Sequence, residues 1–452
     1  MTIMSHDVAQ RLAEFTVSTQ LADLSPGAIM AAKQLTLKTV AGMLVGATMP
    51  AGRRIANFVK AAPDGEDTGV VGTELRASLW KAVFASAFFA HQSELEDDRL
   101  NTGTSWDITT VPMLVPLAEK HDLDGAEFTV ACAVGLEVMA RTCQFYPQGW
   151  LGLSIVPPSV GPAALAARVM KLDAAQTASA FGLAMSGVPL SYTNFGTDAH
   201  YFETSLQTLN GMVAAQSAAL GLDSNPDLVR YLSGLLGPGK VTAAAILAGL
   251  GTEWQFREIW VKKYPCCFYN HRYIDGLLDI TRKERIAFEQ IERITAHVAP
   301  GAQEICNRPA PQTIGDLQFS YQHNLAAAAM DGDVSYAHIA EERIADPRFV
   351  QARTKVDVVI RKEWANDMPL HAPARLEIRM KDGRSFASER KYPTGTIEEP
   401  LTLDQVKALF HKFVGDRLPQ AARRFVADAL GDMDRLDRAG VRRLIQALQP
   451  AR

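Results

Sequence analysis

The sequence predicts a mainly α-helical protein in which a smaller α+β domain is inserted into a large all-α domain. Apolar residues recur at helical spacing through the first 265 residues and again from residue 403 onward. Between residues 266 and 402, several segments instead alternate apolar and polar residues as strands do. At 452 residues, the chain is longer than a single core usually grows. We therefore expect an all-α domain over 1–265 plus 403–452 and an α+β domain over 266–402.

The first part of the chain predicts successive buried helices. Ser25-Pro26 is a helix-start signal that opens a long apolar segment. Residues 76–98 contain no Gly or Pro and are apolar nearly all round, which is typical of a buried helix. Asp124-Gly125 predicts the turn before another long helix.

The inserted part mixes strands and helices. Period-two alternation over 291–307, 354–364 and 374–393 predicts strands, and Lys381-Asp382-Gly383 predicts a hairpin turn. Helical patterns lie between them at 269–284 and 319–334, and the C-terminal helices are expected to pack back onto the first helical block.

Composition excludes several classes of function. The 46 basic and 50 acidic residues give a net charge of -4 without a basic stripe, so we expect no nucleic-acid partner. The N-terminus lacks the charged-then-apolar layout of a signal peptide, and we expect no apolar run to be long enough to span a bilayer. Five scattered cysteines favour a reducing compartment, so the prediction is a cytoplasmic protein without a membrane partner.

The segment from His91 to Pro112 is the densest in ionisable groups. Four of its carboxylates occupy five positions: Glu94, Glu96, Asp97 and Asp98. If the preceding helix continues, His91, Glu94 and Asp98 share one face. Carboxylates so close should raise at least one pKa, as in a general acid or base. The alternative is a solvated helix end whose charge is offset by Arg99.

Two His-x-x-Glu pairs raise the question of a metal. His200 and Glu203 repeat the spacing of His91 and Glu94, and such pairs on facing helices can bind metal ions. His338 and Glu341 show the same spacing on a surface-like helix, so chance produces it readily, and we expect no metal.

Besides the acidic segment, four segments are polar within apolar surroundings: 150–159, 194–210, 260–272 and 319–331. A cluster of Lys262, Lys263, His271 and Arg272 suits the carboxylates of a small anion, although surface charge is the alternative. His323 precedes an apolar run, so it is either an interior functional group or a hydrogen-bonded core histidine.

Five motifs in the same order resemble those of the MmgE/PrpD family, whose members include 2-methylcitrate dehydratases, cis-aconitate decarboxylases and iminodisuccinate epimerases. They are His91-x-x-Glu94-Leu95-Glu96-Asp97-Asp98, Asn194-Phe195-Gly196-Thr197, Lys262-Lys263-Tyr264-Pro265-Cys266-Cys267 with His271, the segment from Phe319 to Gly332, and Gly395 to Leu401. The resemblance spans nearly the whole chain. It implies the same two-domain architecture, a homodimer and no cofactor.

The departures from the family pattern fall on functional positions. Glu94 and Asp98 replace an Asp and a Ser or Thr, and Ser105-Trp106-Asp107 stands in place of a nearby His-Pro. A family histidine is absent near Leu151 or Gly152, His200 replaces a Lys, and His323 replaces a Tyr; Lys262 is retained. The pocket is expected to keep its place while its acid/base groups have changed.

The resemblance implies proton abstraction next to a carboxylate. The predicted function is a cofactor-free lyase, a dehydratase or a related enzyme, on a small di- or tricarboxylic acid. The predicted catalytic residues are Glu94, Asp98, His200, His323 and Lys262. The predicted substrate-binding residues are His91, Asp97, Asn194, Thr197, Lys263, His271 and Arg272. The alternatives are a dicarboxylate epimerase or isomerase, and a non-catalytic paralogue that only binds a ligand.

Overall fold

The computed structural model describes residues 7–99, 102, 104–145, 159–187, 194, 196–364 and 372–449. These residues are mainly helical with small sheets, which confirms the predicted fold class. The chain forms two compact units. The larger comprises Met1–Asn194, Asp198–Ile259 and Thr402–Arg452, and the smaller comprises Phe195–Thr197 and Trp260–Leu401. The segment predicted as a polar loop around Leu151 and Gly152 lies outside the described residues.

The larger unit consists mostly of helices. Its helices are α1 (Asp7–Ser18), α2 (Pro26–Gly46), α3 (Pro50–Ala61), α4 (Leu79–Gln92), α5 (Asp107–His121), α6 (Gly125–Cys143), α7 (Val160–Val169), α8 (Ala174–Ala184), α9 (Asp198–Ala219), α10 (Leu228–Leu236), α11 (Ala243–Leu247), α18 (Leu403–Val414), α19 (Gln420–Gly431) and α20 (Arg438–Ala447). Its strands form two short antiparallel pairs, β1 (Thr68–Gly69) with β2 (Arg76–Ala77) and β3 (Asp98–Arg99) with β4 (Thr104–Ser105). The Ser25 side chain caps α2, and Asp124 and Glu127 form a capping box on α6, as the helix-start signals indicate.

Helix α2 lies at the centre of the larger unit. It packs against α4 and α5, and the C-terminal helices α18 and α19 return to cover it. Helix α4 in turn packs against α9. This arrangement brings the end of α4 and the start of α9 together, and both carry predicted site residues.

Helix α2 is also long and apolar enough to cross a membrane by length and composition alone, so the expectation that no segment reaches this length was wrong. However, 78% of its most apolar 18-residue stretch is buried within the protein. It also contains Lys38, which is fully buried and ion-paired with Asp97. Both features are typical of a core helix.

The crossing of α2 and α4 requires a glycine at position 46. A Cβ atom at Gly46 would lie 1.9 Å from the Phe89 carbonyl oxygen, so the two helices would have to separate. We expect Gly46→Ala to lower the free energy of unfolding by about 1–3 kcal/mol, measured by urea denaturation. Gly234 in α10 is the matched control, because nothing lies within 4 Å of its added Cβ. Gly234→Ala should leave stability unchanged or raise it by about 0.5–1 kcal/mol; equal losses in both variants would contradict the close-packing argument.

The smaller unit contains a four-stranded sheet with helices on one face. Its helices are α12 (Phe268–Glu284), α13 (Pro300–Cys306), α14 (Ile314–Gln318), α15 (Tyr321–Asp331), α16 (Glu342–Ala345) and α17 (Pro347–Arg353), and its strands are β5 (Ile291–Val298), β6 (Val356–Ile360), β7 (Ala374–Met380) and β8 (Ser385–Arg390). The strand order is β6-β5-β7-β8, with β5 and β6 parallel and the other pairs antiparallel. Helices α12 and α15 pack on this sheet.

The predicted hairpin at Lys381-Asp382-Gly383 joins β7 to β8, and Gly383 takes a left-handed conformation with φ 88°. One strand prediction was too long. Within residues 291–307, the chain leaves β5 at Val298 and forms α13 from Pro300, because proline at the first helical position favours a helix start.

Candidate active site

The acidic segment does not continue the α4 helix. Helix α4 ends at Gln92, where the Ser93 hydroxyl donates a hydrogen bond to the Ala90 carbonyl at 2.6 Å and accepts one from the Leu95 backbone N–H at 3.2 Å. This local turn competes with the helix and ends it. Asp98 consequently lies in β3, so the prediction that His91, Glu94 and Asp98 share one helical face was wrong.

Glu94 has a strained backbone conformation. Its φ of 57° is left-handed, which costs roughly 1–2 kcal/mol for a residue with a side chain. Glycine or asparagine usually occupies such a position after a helix. Glu94 is nevertheless a buried carboxylate with 2% exposure. Strain maintained at a buried ionisable residue points to a role of the side chain in function.

All four clustered carboxylates are buried, each with at most 3% exposure: Glu94, Glu96, Asp97 and Asp98. The alternative of a solvated helix end is therefore excluded. Arg99, which was considered as their counter-charge, instead pairs with Glu258 at 2.5 Å. Asp98 accepts a hydrogen bond from the Ser105 hydroxyl across the β3–β4 pair.

A carboxyl group with a raised pKa lies a few residues beyond this cluster. Asp107 is fully buried, and this burial, followed by the nearby Asp97 charge, raises its pKa well above the ordinary value. The sequence predicted such a raised pKa for the acidic cluster but did not single out Asp107.

Two histidines from separate motifs form a buried pair. The His91 and His200 rings have centroids 4.2 Å apart, and the exposures are 0% and 1%. His91 Nδ1 lies 2.5 Å from the Thr204 hydroxyl, and His200 Nδ1 lies 3.8 Å from Glu203 Oε2. The Asn194 side-chain amide donates a hydrogen bond to Glu203 Oε1. The end of α4 and the first turns of α9 thus place two imidazoles in contact, each with its own polar partner.

The two His-x-x-Glu pairs considered as metal ligands do not belong to a larger ligand cluster within the described residues. Across the described ranges, no group of three or more His, Cys, Asp or Glu side chains could hold a metal ion.

In the smaller unit, Lys262 and His271 are both buried with 0% exposure, so they are not surface charges. The Lys262 ammonium lies 4.6 Å from the centre of the Phe268 ring, which favours a cation–π contact. The His271 ring lies among the rings of Trp260, Tyr264 and Phe268, and its Nε2 is 3.2 Å from the Cys266 carbonyl oxygen. Their predicted role in carboxylate binding remains a prediction.

Lys263 and Arg272 have partners within the smaller unit. Lys263 forms an ion pair with Asp275 at 2.9 Å, and Arg272 donates to the Ala372 carbonyl oxygen at 2.7 Å. Burial alone would raise the pKa of Asp275, but the Lys263 charge and hydrogen bonds from Lys263, Thr394 and Tyr264 outweigh it and lower that pKa. These contacts favour structural roles, and substrate binding by Lys263 and Arg272 stays a prediction. Thr197, by contrast, is exposed, and its binding role is likewise untested.

His323 is fully buried between fixed hydrogen-bonding partners. Its Nε2 lies 2.8 Å from the His338 carbonyl oxygen, its Nδ1 lies 3.4 Å from Arg353 Nη1, and its ring packs on Phe349. The carbonyl can only accept and the guanidinium can only donate, so this arrangement suits the neutral imidazole. The contacts favour the core-histidine alternative, while the catalytic prediction for His323 remains untested.

The environment of His323 predicts a pH dependence of stability. Burial, the largest cause, lowers its pKa to about 4. Because an unfolded histidine titrates near pH 6.5, the unfolded chain binds the proton first as pH falls. The stabilisation is complete above about pH 6.5 and decreases by roughly 3 kcal/mol toward pH 4. Urea unfolding at pH 7 and pH 4.5 should show this loss, and His323→Gln should reduce it. An NMR titration with the His323 ring charged at pH 6 would contradict the prediction.

Sequence analysis assigned no role to three residues around the acidic turn and the histidine pair: Lys38, Thr204 and Asp107. Lys38 did carry a signal, since a lysine in the middle of an apolar helix is buried only when it is paired. Asp107 was noted only as part of a departure from the family pattern and Thr204 gave no signal, because their contacts depend on how α2, α4, α5 and α9 pack.

Family comparisons cover both parts of the chain. The model of the MmgE/PrpD N-terminal domain matches residues 10–237, and that of the MmgE/PrpD C-terminal domain matches residues 264–432. A cis-aconitate decarboxylase of Homo sapiens is 22% identical over 90% of this chain and 88% of its own length. A cis-aconitate decarboxylase-like protein of Aspergillus oryzae is 24% identical over 90% of both chains. A cis-aconitate decarboxylase of Aspergillus terreus is 21% identical over 92% of this chain and 90% of its own length.

Proposed function

The chain belongs to the MmgE/PrpD family, and we propose that it is a lyase of small di- or tricarboxylic acids whose reaction depends on the paired imidazoles of His91 and His200, with His200 transferring the proton. Two of the similar proteins named above are cis-aconitate decarboxylases, which supports an enzyme of the lyase kind. The observation that carries the assignment of residues is the buried contact of the two imidazoles, 4.2 Å between ring centroids.

Both lyase reactions need a side chain that takes a proton from a substrate carbon or gives one to it. In a dehydration, a base removes the proton next to a carboxylate, that electron pair forms the C=C bond, and the β-hydroxyl leaves with a proton from an acid. In a decarboxylation, the electron pair of the C–C bond remains on the carbon skeleton as carbon dioxide leaves, and an acid then protonates a carbon. Imidazole suits both steps, because histidine ordinarily titrates near neutral pH.

The two rings have different polar partners, so we assign the two histidines different roles. Glu203, 3.8 Å from His200 Nδ1, favours the imidazolium form of His200 after it accepts a proton. The Thr204 hydroxyl lies 2.5 Å from His91 Nδ1 and fixes the orientation of the His91 ring. We propose that His200 exchanges the proton with the substrate and that His91 orients the substrate. Glu94 and Asp98 are proposed as further acid/base groups.

This geometry favours a lyase over the alternatives. An epimerase needs groups on opposite faces of one carbon, separated by about twice a van der Waals contact, roughly 7 Å. Rings in direct contact cannot bracket a substrate in that way. A non-catalytic paralogue is disfavoured because His200 and Glu94 are buried ionisable groups, and Glu94 keeps a strained backbone.

Three further parts of the proposal are supported by the family resemblance alone: carboxylate binding, the oligomeric state with its location, and the absence of a cofactor. Lys262 and His271 are proposed to bind substrate carboxylates, and the protein is proposed to be a cofactor-free cytoplasmic homodimer. Light scattering after size exclusion tests the dimer, and activity after exhaustive dialysis against a chelator tests the cofactor.

The function is tested by incubating the protein in D2O with a panel of di- and tricarboxylic acids that includes cis-aconitate, and following each acid by NMR. A lyase should give a product that has lost water or carbon dioxide, and a decarboxylase should also leave deuterium at the carbon that it protonates. His200→Asn, folded by circular dichroism, should give product much more slowly. Inverted stereochemistry without bond cleavage would instead establish an epimerase, and no change in any acid with folded wild-type protein would contradict the proposal.

A further inference from the structure

Asp107 is a buried carboxyl group for which the proposed reaction has no use. It is the first residue of α5 and has 0% exposure. Its Oδ1 accepts a hydrogen bond from the Asp97 backbone N–H at 3.1 Å, and its Oδ2 lies 2.9 Å from the Thr39 hydroxyl. Asp107 therefore joins α2 to the turn that carries the acidic cluster.

The Thr39 hydroxyl can serve Asp107 in either protonation state. Thr39 Oγ1 is 2.8 Å from the Leu35 carbonyl oxygen as well as 2.9 Å from Asp107. A hydroxyl has one proton, and a carbonyl can only accept. Thr39 donates to Asp107 when Asp107 is ionised, whereas a protonated Asp107 Oδ2 can donate to Thr39 while Thr39 donates to Leu35, so the charges around Asp107 decide between the two states.

The charges nearby favour the protonated state. Lys38 and Asp97 form an ion pair at 3.3 Å with both side chains at 0% exposure. An ionised Asp107 would add a second negative charge beside this pair, away from water, at a high cost in free energy. A neutral Asp107 leaves the pair balanced.

We infer that Asp107 stays protonated at neutral pH and is a positioning residue, which holds the Asp97 backbone and with it the turn from Glu94 to Asp98. Among the residues that the structure describes, the charged and titratable groups that act on Asp107 are Lys38 from α2, Asp97 from the turn and Cys132 from α6. Burial raises the pKa of the Cys132 thiol to about 12, so this thiol is neutral. The inference concerns the folded protein and does not depend on the proposed reaction.

The test is Asp107→Asn in the full chain, because asparagine reproduces the protonated acid. Its amide nitrogen can donate to Thr39 and its amide oxygen can accept from the Asp97 N–H. A carboxyl with a raised folded-state pKa makes the native state bind more protons than the unfolded state, so wild-type stability falls as pH rises above about 4. We expect the melting temperature of Asp107→Asn, relative to wild type, to increase from pH 4 to pH 7.

Infrared spectroscopy provides a second readout, which distinguishes a protonated Asp107 from an ionised one. At pH 7, the difference between wild type and Asp107→Asn should contain the C=O band of a carboxylic acid. Asp97→Asn is the control: its difference spectrum should contain a carboxylate band, and its melting temperature should fall by several degrees because Lys38 loses the carboxylate of its buried ion pair. A carboxylate band for Asp107, a relative melting temperature that decreases with pH, or failure of Asp107→Asn to fold would each overturn the inference.

Discussion

Replacing His200 with asparagine is expected to lower kcat by about 100- to 1,000-fold on the substrate that the D2O experiment identifies. Asparagine retains a polar group of similar reach at the start of α9, but it cannot accept and return a proton at neutral pH. The melting temperature should change by only a few degrees. Steady-state kinetics from pH 5 to pH 9 should also show that the variant has lost one limb of the wild-type profile.

His121→Asn is the matched control, because His121 lies exposed at the end of α5 in the same unit. It should retain wild-type kcat. A rise in KM at constant kcat for His200→Asn would assign His200 to substrate binding instead. A large loss of stability with a proportionate loss of activity would make it structural and would remove the observation on which the proposed function depends.

Glu203 offers a graded version of the same argument. If Glu203 stabilises the imidazolium of His200 across 3.8 Å, then Glu203→Gln should lower the pKa read from the rate profile without removing that limb. A profile that stays unshifted would mean that the carboxylate only contributes packing to the first turns of α9.

The sequence predicted the fold well because its signals are local. Ser25, Asp124 and the turn at Gly383 each determine a helix start or a hairpin through backbone chemistry within a few residues. The sequence predicted the site less well. His91 and His200 were both named, but no spacing rule predicts that residues on α4 and α9 meet ring to ring.

The helix error has an equally local cause. Extending α4 to Asp98 ignored the competing turn that Ser93 forms, and it placed Glu94 on a helix that it does not join. The contacts of Lys263 with Asp275 and of Arg272 with the Ala372 carbonyl were not predicted, and the anion-binding roles of Lys263 and Arg272 stay predictions. Such partners are determined by tertiary packing, and the order of charged residues along the sequence does not reveal that packing.

The buried Lys38–Asp97 pair carries the second large prediction. Lys38→Met removes the cation 3.3 Å from a fully buried carboxylate, and breaking a buried pair on one side typically lowers the free energy of unfolding by about 3–5 kcal/mol. Methionine fills a similar volume in the apolar surroundings of α2, so the loss comes from charge more than from packing. Urea unfolding monitored by circular dichroism measures it.

The double variant Lys38→Met with Asp97→Asn separates charge from shape. Removing both charges should recover most of the stability lost in Lys38→Met, because a neutral pair needs no counter-charge when it is buried. Lys407→Met is the matched control: Lys407 pairs with the exposed Asp428 at 3.0 Å, and its loss should cost less than about 1 kcal/mol. If the double variant were as unstable as the sum of both single variants, the two side chains would act independently, and the pair would not be what holds the acidic turn against α2.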